Sequence, residues 1–366
     1  MVEAYLKDYA RTFGLYNHIR FNERVVKAEF DYSAERWIIQ TLTSKQSMST
    51  TYSADLLLIC NGHHNVPRYP RIPGVDAWLS SNSAAHSMFY RSPNCAPWKL
   101  EKHNKVLVVG SGPSGQDLVT DLIAKDTVAE VIHSTSRYHI QEGVTSRGRL
   151  VKLGDVCRGE VEFEGGVKDK GIDFVIFATG YEVQFPFLAE KYVRKGSPPN
   201  DPTLQQGVWN TSYGLFPLVR HLFPFSFGYR NIDDAWTPPS IFFLGLLVKV
   251  VPMPLVEVQA RFALAIFANK VQVDWELEGR KVAARCEKLK ELLGEAGVHK
   301  GYFRFEPMEQ FDYRDELMDM IPDEFVGKVQ HVQLWEREMY ALKDVMRKEY
   351  EELKARQHQM ANYKFN

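Results

Sequence analysis

Hydrophobic and polar residues alternate with different periods along the chain, and each period predicts a different element. Apolar residues at helical spacing predict a helix over residues 4–13. Between residues 22 and 60 the period shortens, and the runs VVKAEFD, RWIIQTLT and STTYSADLLLIC predict a three-stranded meander. Prolines and glycines predict a loop over residues 62–74, and the irregular, polar residues 76–104 predict a linker.

The centre of the chain combines strand and helix patterns. Residues 105–137 predict a strand (KVLVV), a glycine-rich turn, a helix (GQDLVTDLIAKD) and a second strand (EVIHS), which together form one βαβ unit. Residues 161–164 and 173–179 predict a further pair of strands on either side of the turn GGVKDKG. These patterns place the chain in the α/β class.

Towards the C-terminus the pattern becomes mainly helical. Residues 196–236 are rich in aromatic side chains and predict loops, and residues 240–248 predict a strand. An apolar-faced helix is predicted over residues 255–269. From about residue 275 the chain is charged and helical, and it ends in a long helix over residues 330–354 with pairs of opposite charge.

Two segments share one pattern of residues. Residues 55–62 (DLLLICNG) and 173–180 (DFVIFATG) each contain an aspartate, five apolar or small residues, a polar residue and a glycine. Each follows short strands and predicts the closure of one nucleotide-binding domain, so two such domains are expected. The pattern is also typical of any buried parallel strand that ends in a glycine turn. The repeat alone does not separate the two interpretations.

The glycine turn at residues 110–115 (GSGPSG) is a candidate phosphate site, because a strand precedes it and an amphipathic helix follows it. Gly110 permits the tight turn, Gly112 lets the backbone approach a pyrophosphate, and Gly115 lets the helix pack on the strand. The helix N-terminus presents free N–H groups to the phosphates, and Ser114 adds a hydroxyl there. An ordinary tight turn between strand and helix is the alternative.

The end of the second strand predicts which nucleotide binds. NAD-type sites carry a carboxylate there for the ribose hydroxyls, whereas this chain has HSTSR at residues 133–137. Ser134 and Arg137 suit a 2′-phosphate, which favours NADP over NAD or FAD at this turn. A surface arginine at a strand end is the alternative.

Composition and charge exclude several classes of protein. The net charge of −1 over 366 residues gives no basic footprint for nucleic acid. Four widely spaced cysteines argue against a disulfide framework, a zinc site and a dithiol redox centre. No metal is expected at His63 and His64, because adjacent histidines in a proline-rich loop more often face solvent. The N-terminus is no signal peptide and no stretch reaches the roughly 20 apolar residues of a membrane span, so a cytoplasmic location is expected.

The order of five motifs resembles the flavin-containing monooxygenases, and most closely their fungal members. The motifs are YLKDYARTFGLYNHIRFNERV, LLICNGHHNVPRYPRIPG, HSMFYR, KVLVVGSGPSGQD and DFVIFATGYEVQFPFL. The segments SIFFLGL and PLVEVQARFA also resemble the strand and helix with which that family returns to its flavin domain. The resemblance spans about residues 1–325.

The resemblance implies a flavoprotein fold with two dinucleotide-binding domains. Residues 1–98 and 186–270 would form the FAD domain, and residues 99–185 would be a Rossmann-like NADP domain inserted into it. Residues 271–366 would add a charged, helical C-terminal region. The FAD domain would be incomplete, because it would lack the family's FAD-binding GxGxxG turn.

The resemblance also implies cofactor contacts and a reaction. By resemblance, the backbone of Val25 meets the adenine of FAD, and Asn61 and Gly62 form the turn on the flavin side. NADPH would reduce FAD, the reduced flavin would form a C4a-hydroperoxide with O₂, and a soft nitrogen or sulfur atom of a small-molecule substrate would take one oxygen. Because the flavin carries the chemistry, no acid–base pair is expected, and none is recognised.

The chain departs from the family pattern in two places. Of the family signature that ends at HSMFYR only His86 is present, because Ser80 and Asn82 occupy other signature positions. The continuation SMFYRSP favours amine and sulfide oxidation over Baeyer–Villiger oxidation. The family's FAD-binding GxGxxG, the acidic residue after it and the asparagine beside the flavin all lie upstream of the helix at residues 4–13. The chain is therefore expected to be truncated, with impaired FAD binding and no catalytic residue to name.

Two other interpretations stay open. The chain could be an NADP(H)-binding module without flavin chemistry that acts through a partner. A relative of the pyridine nucleotide:disulfide reductases is disfavoured, because no CxxC pair is present. An incomplete FAD domain would expose a sheet edge and part of its core, so poor solubility or a homo-oligomer is expected.

Overall fold

The chain folds into two compact units. The computed structural model describes residues 2–43, 49–95, 99–136, 142–196, 198, 207–225, 239–326, 330–350 and 352–353. One unit, called here the discontinuous unit, combines residues 1–62 and 185–366. The other, called the continuous unit, consists of residues 63–184.

Among its described residues, the first part of the discontinuous unit contains one α-helix and four strands. They are α1 (Val2–Thr12), β1 (Glu23–Asp31), β2 (Arg36–Thr43), β3 (Ser49–Ala54) and β4 (Leu57–Ile59). Strands β1, β2 and β3 form an antiparallel sheet in that order, which confirms the predicted meander. The third predicted run divides in two, because β4 leaves the meander and pairs with a strand from the second half of the chain.

Helix α1 agrees with its predicted apolar periodicity but packs differently from most surface helices. None of its residues is buried. Its apolar side chains Tyr5, Leu6 and Tyr9, and Phe13 directly after it, are 47–61% exposed. An amphipathic helix normally turns such a face towards a core. Among the described residues, no core covers this face.

The continuous unit contains two helices and ten strands among the described residues. They are β5 (Val66–Pro67), α2 (Val75–Ser80), β6 (Ala84–His86), β7 (Lys105–Val109), α3 (Pro113–Ala124), β8 (Glu130–Ser134), β9 (Val144–Arg147), β10 (Leu150–Leu153), β11 (Val161–Phe163), β12 (Lys168–Asp169), β13 (Phe174–Phe177) and β14 (Tyr181–Glu182). Five of them form a parallel sheet in the order β6-β13-β7-β8-β9. Strands β7 and β8 with α3 between them confirm the predicted βαβ unit.

This parallel sheet is buried on both faces, which explains the continuous apolar runs in its sequence. On one face Val106 and Val108 of β7 pack with Leu118 of α3. On the other face Leu107 packs with a cluster that includes Trp78 of α2. Strands β10, β11 and β12 form a small antiparallel sheet whose residues join this second cluster.

Two sequence predictions for the continuous unit are wrong. Residues 161–164 and 173–179 do not pair, because β11 lies in the small antiparallel sheet and β13 lies between β6 and β7 in the parallel one. Residues 76–104 are not simply a linker, because they contribute most of α2 and the edge strand β6. Trp78 and His86 are fully buried there. Both elements are too short to produce a clear period.

The second half of the discontinuous unit is mainly helical. Its elements are β15 (Val193–Lys195), β16 (Val208–Asn210), β17 (Leu215–Phe216), β18 (Ile241–Phe243), α4 (Pro252–Phe267), α5 (Trp275–Leu293), α6 (Val298–Tyr302), α7 (Glu309–Met320), α8 (Asp323–Val326) and α9 (Leu334–Ala341). Strand β18 pairs in parallel with β4 and is shorter than predicted. The predicted helix over residues 330–354 is interrupted at residue 342, and helical residues resume at 343–350.

The division into units differs from the predicted domain boundaries at one end. The first boundary lies between residues 62 and 63 instead of at residue 99, because β6 extends the parallel sheet of the continuous unit. The second boundary lies between residues 184 and 185, one residue from the predicted position. Within the described residues, no helix combines the length and the apolarity that a membrane crossing requires.

Candidate functional site

The candidate site lies at the carboxyl ends of the parallel strands in the continuous unit. Strand β7 is central, and the chain continues from it through α3 to β8 on one side, while β13 pairs with its other side. The direction of strand order therefore reverses at β7. In open α/β sheets, ligands bind in the crevice outside the carboxyl ends at such a reversal. The glycine turn at residues 110–115 follows β7 at this point.

Two of the glycines in this turn are required by close packing. Gly110 has a φ of +123°, and a Cβ there would lie 2.3 Å from the Ala178 carbonyl oxygen. A Cβ on Gly115 would lie 2.1 Å from the Gly110 carbonyl oxygen. The Gly110 N–H donates to the Ser134 carbonyl over 2.9 Å, and His133 Nε2 lies 2.8 Å from the Gly110 carbonyl. The turn is therefore held in place by β8 and β13 together.

Gly112 is the exception, and its surroundings fit a bound phosphate group. A Cβ on Gly112 would meet nothing within 4 Å among the described residues, and its φ of −75° suits any residue. Gly112 is also the N-cap of α3, where no described side chain caps the first turn. Ser114 is exposed next to it. An open backbone position at an uncapped helix N-terminus can accept a pyrophosphate, as NADP requires.

Ser134 has a different environment from the one predicted. Its side chain is 2% exposed, its hydroxyl donates to the Gly148 carbonyl over 2.9 Å, and it accepts from the Leu150 N–H over 3.0 Å. The hydroxyl thus joins β8 to the chain that follows β9. Its predicted contact with the 2′-phosphate stays a prediction. Arg137, the predicted partner of that phosphate, lies outside the described residues.

A second arginine at this edge was missed by sequence reasoning. Arg147 ends β9, and its register partner on β8 is Ser134. Its guanidinium donates to both carboxylate oxygens of Asp169, over 2.8 and 3.2 Å. Its charge is therefore already compensated, which makes it a support for this edge of the sheet. The four residues of β9 (VTSR) have no apolar alternation that would have predicted a strand.

His86 supports the neighbouring edge of the site. The buried imidazole accepts from the Met88 N–H at Nδ1 over 3.1 Å, which places its proton on Nε2. Nε2 lies 2.9 Å from the Gly180 carbonyl oxygen. Thr179, in the same turn, donates its hydroxyl proton to the Arg68 carbonyl. These contacts fix the turn after β13 beside the glycine turn of β7.

Stability should depend on pH through His86. Burial lowers the pKa of this imidazole below its ordinary value of 6.5, and the Gly180 carbonyl opposes that effect only in part. As pH falls below about 6.5, the unfolded chain therefore takes up a proton before the folded one, and stability is lost. We expect His86→Gln, which keeps an N–H donor, to reduce this loss by up to about 1.4 kcal/mol per pH unit.

The measurement for His86 is urea denaturation of the full chain at several pH values between 7.5 and 5. Exposed His103 provides the matched control, since His103→Gln should keep the slope of the unmodified protein. An equal slope in the His86→Gln variant would contradict the expectation.

The residues predicted to contact FAD lie in the discontinuous unit on two different sheets. Val25 lies on β1 at an irregularity of its pairing with β2, and its side chain is 38% exposed. Asn61 and Gly62 follow β4, which pairs with β18. Gly62 has a φ of +70°. Residues 1–62 contain two glycines, Gly14 and Gly62, and no glycine-rich turn between a strand and a helix. Contact of Val25, Asn61 and Gly62 with FAD stays a prediction.

Comparison with known proteins gives one consistent result. The sequence profile of a family described as flavin-binding monooxygenase-like matches residues 1–147 and 139–198. Flavin-containing monooxygenase FMO GS-OX-like 2 of Arabidopsis thaliana is 28% identical over 352 residues, which cover 93% of this chain. That alignment covers 66% of the relative, and the alignment to FMO GS-OX-like 7 covers 52% of it. The chain thus spans about one half to two thirds of the length of these curated relatives.

Solved structures show the same fold. The structure of S-allyl-L-cysteine S-oxygenase from Allium sativum is similar with a TM-score of 0.71 and 24% identity, covering 95% of this chain and 70% of that one. A structure of cyclohexanone monooxygenase is similar with a TM-score of 0.53 and 13% identity, covering 86% and 81%. The two-domain flavoprotein fold predicted from sequence is thereby confirmed. The predicted closeness to fungal members stays a prediction.

Proposed function

The chain belongs to the flavin-binding monooxygenase-like family, and from that premise we propose that it takes part in the NADPH- and FAD-dependent oxygenation of a soft nitrogen or sulfur nucleophile. FAD and NADP(H) are the cofactors that family membership and the similar structures support. Small-molecule substrates and O₂ are the corresponding reactants.

One observation in the structure carries the proposal. The turn at Gly112 combines an open backbone position, an uncapped helix N-terminus and a place at the strand-order reversal of a parallel sheet. We assign the NADP pyrophosphate to Gly110, Gly112, Ser114 and Gly115, and the 2′-phosphate to Arg137. The choice of nitrogen or sulfur rests on the sequence SMFYRSP after His86.

The residues of this chain bind and orient, and the cofactors supply the reactive chemistry. When bound, NADPH supplies a hydride and the flavin supplies oxygen activation. Val25 and the turn of Asn61 and Gly62 are assigned to the adenine and flavin sides of FAD. The protein would position the cofactors and the substrate for reaction and exclude water from them.

A flavin-retention experiment tests this proposal. The purified chain is mixed with excess FAD, passed through gel filtration and examined for a visible flavin band. NADPH binding is measured on the same sample by calorimetry. Retention of flavin together with NADPH binding would support the proposal. If NADPH binds and flavin is lost, the alternative of an NADP(H)-binding module is correct. If NADPH does not bind, the assignment of the glycine turn is wrong.

Arg137 should discriminate between the two nicotinamide nucleotides. We expect Arg137→Ala to weaken NADPH binding by about 1.5–3 kcal/mol, because a charge-assisted contact to the 2′-phosphate is lost. NADH binding should change much less, since NADH lacks that phosphate. Exposed Arg158 of the same unit gives the control Arg158→Ala, which should affect neither nucleotide. An equal loss of binding affinity for NADPH and NADH would show that Arg137 does not contact the 2′-phosphate.

We also propose a cytoplasmic location and self-association of the chain in solution. The four cysteines are free thiols, as is usual in a reducing compartment, and this supports the cytoplasmic location.

The exposed apolar face of α1 supports self-association of the chain. Sedimentation velocity should show species larger than a monomer, and Tyr9→Lys should shift them towards monomer. Asp8→Lys adds a lysine on the charged face of the same helix and should leave the mass unchanged. A monomer at all concentrations would contradict self-association.

A further inference from the structure

A row of apolar side chains runs along the C-terminal helical segment of the discontinuous unit. The segment comprises α9 and the helical residues 343–350. Five of its exposed apolar residues follow one another at intervals of four, three, four and four positions, close to the α-helical period of about 3.6. They are Trp335, Met339, Leu342, Met346 and Tyr350, each 43–62% exposed. These five residues are called here the C-terminal stripe.

The interruption of α9 at Leu342 does not end the stripe. The Leu342 N–H donates to the Glu338 carbonyl over 3.2 Å, and the Met346 N–H donates to the Leu342 carbonyl over 2.9 Å. Both bonds join residues four positions apart, as in an α-helix. The stripe therefore continues along one face of the segment from Trp335 to Tyr350.

The opposite face of α9 is fixed to α7. Glu336 accepts from Arg314 of α7 over 2.7 Å, and the Tyr340 ring centroid lies 5.4 Å from that of Phe311. Arg337 donates to two further carboxylates of α7 over 2.8 and 3.0 Å. A surface helix normally turns its apolar face inward. Here the charged face is turned to α7, and the C-terminal stripe points away from it.

The two edges of the stripe carry opposite charges. At about 100° per residue, Glu338 and Glu349 lie along one edge. Lys343 and Arg347 lie along the other, and all four side chains are exposed. A helix that binds an anionic membrane surface carries lysine and arginine on its polar face without such a balance. One acidic and one basic edge favour another helix as the partner.

A second copy of the same segment matches this pattern in one orientation. When two parallel helices pair through their apolar faces, each edge of one helix meets the opposite edge of the other, and residues five positions apart face each other across the pair. Glu338 and Lys343 have that spacing. Antiparallel pairing would bring the two acidic edges together and the two basic edges together, which is unfavourable.

We propose that the C-terminal stripe pairs in parallel with the stripe of a second copy of this chain, with Glu338 of each copy opposite Lys343 of the other. Because the segment is only about 25 Å long, the dimer is reversible and depends on protein concentration. This contact is separate from the α1 face and does not depend on the oxygenation reaction proposed above.

Sedimentation velocity of the full chain over a concentration series measures the pairing. Every sample carries Tyr9→Lys, because this substitution removes association through α1. A monomer–dimer equilibrium is expected. Met346→Lys places a charge within the stripe and should raise the dissociation constant at least about tenfold. Asp344→Lys adds the same residue on the opposite face of the helix and should leave the constant unchanged. A monomer at every concentration would overturn the proposal.

A charge exchange tests the orientation. Glu338→Lys should raise the dissociation constant about fivefold, because lysine would face Lys343 on both sides of the pair. The double variant Glu338→Lys/Lys343→Glu restores opposite charges and should recover most of that loss. If the double variant paired as weakly as Glu338→Lys, the parallel pairing would be wrong. A tighter dimer for Glu338→Lys would indicate antiparallel pairing and would overturn the proposal as well.

Discussion

Replacing Gly112 by alanine is expected to weaken NADPH binding at least about tenfold without unfolding the protein. The added methyl group would project into the space that the pyrophosphate needs, and the contacts between phosphate and backbone N–H groups would lengthen. The folded chain itself has room for this methyl group, since nothing described lies within 4 Å of it. Stability should therefore stay within about 0.5 kcal/mol of the unmodified value.

Gly110→Ala is the matched variant, and the opposite result is expected for it. Its Cβ would lie 2.3 Å from the Ala178 carbonyl oxygen at a φ of +123°. The strained backbone should lower the free energy of unfolding by about 1–3 kcal/mol, and displacement of the chain at Ala178, directly after β13, should lower it further. A lower unfolding midpoint should therefore appear even without nucleotide. Calorimetry with NADPH and thermal melting measure both quantities. A large loss of stability in Gly112→Ala, or unchanged NADPH binding, would contradict the assignment of the turn.

Arg220→Met is expected to destabilise the discontinuous unit by about 3–5 kcal/mol. Arg220 and Glu278 form an ion pair with side chains 6% and 3% exposed, and their closest atoms are 2.6 Å apart. Methionine would leave the Glu278 carboxylate buried, and within the described part of the chain its remaining cationic partner would be Lys281 at 3.7 Å. An uncompensated buried charge is far more costly than the pair itself is favourable.

The double variant Arg220→Met/Glu278→Leu should recover most of that stability, because it removes both charges from the interior. Lys7→Met breaks an exposed ion pair with Glu3 and should change stability by less than about 1 kcal/mol. Chemical denaturation followed by circular dichroism measures all three variants. If the double variant were as unstable as Arg220→Met, the loss would have to come from packing around Arg220 and not from the isolated carboxylate.

Sequence patterns predicted the parts of the fold in which the local signal is strong. The βαβ unit and the glycine turn were predicted because the apolar run KVLVV, the glycines and the following helix are contiguous, over residues 105–126. The meander was predicted because its strands are long. Strand β6, by contrast, has three residues and is recognisable only through its pairing with β13, which lies far along the chain.

The supports of the site could not be predicted for the same reason. His133 appeared in the sequence only as part of a strand end, and its bond to the Gly110 carbonyl depends on two strands lying side by side. The buried ion pair of Arg220 and Glu278 joins residues 58 positions apart, so no spacing in the sequence predicts it. The two hydrogen bonds of the Ser134 hydroxyl to the backbone were likewise not visible in the sequence, because they depend on the chain that follows β9 lying beside β8.

The fixation of the glycine turn has a consequence for the thermodynamics of nucleotide capture. Gly110 is tied to β8 through both its N–H and its carbonyl, and it abuts Ala178 of the neighbouring chain segment. A binding loop that already has its ligand-bound conformation loses little conformational entropy when the ligand binds. NADPH should therefore dock on this turn as on a rigid body, with little movement of the backbone between the free and bound states.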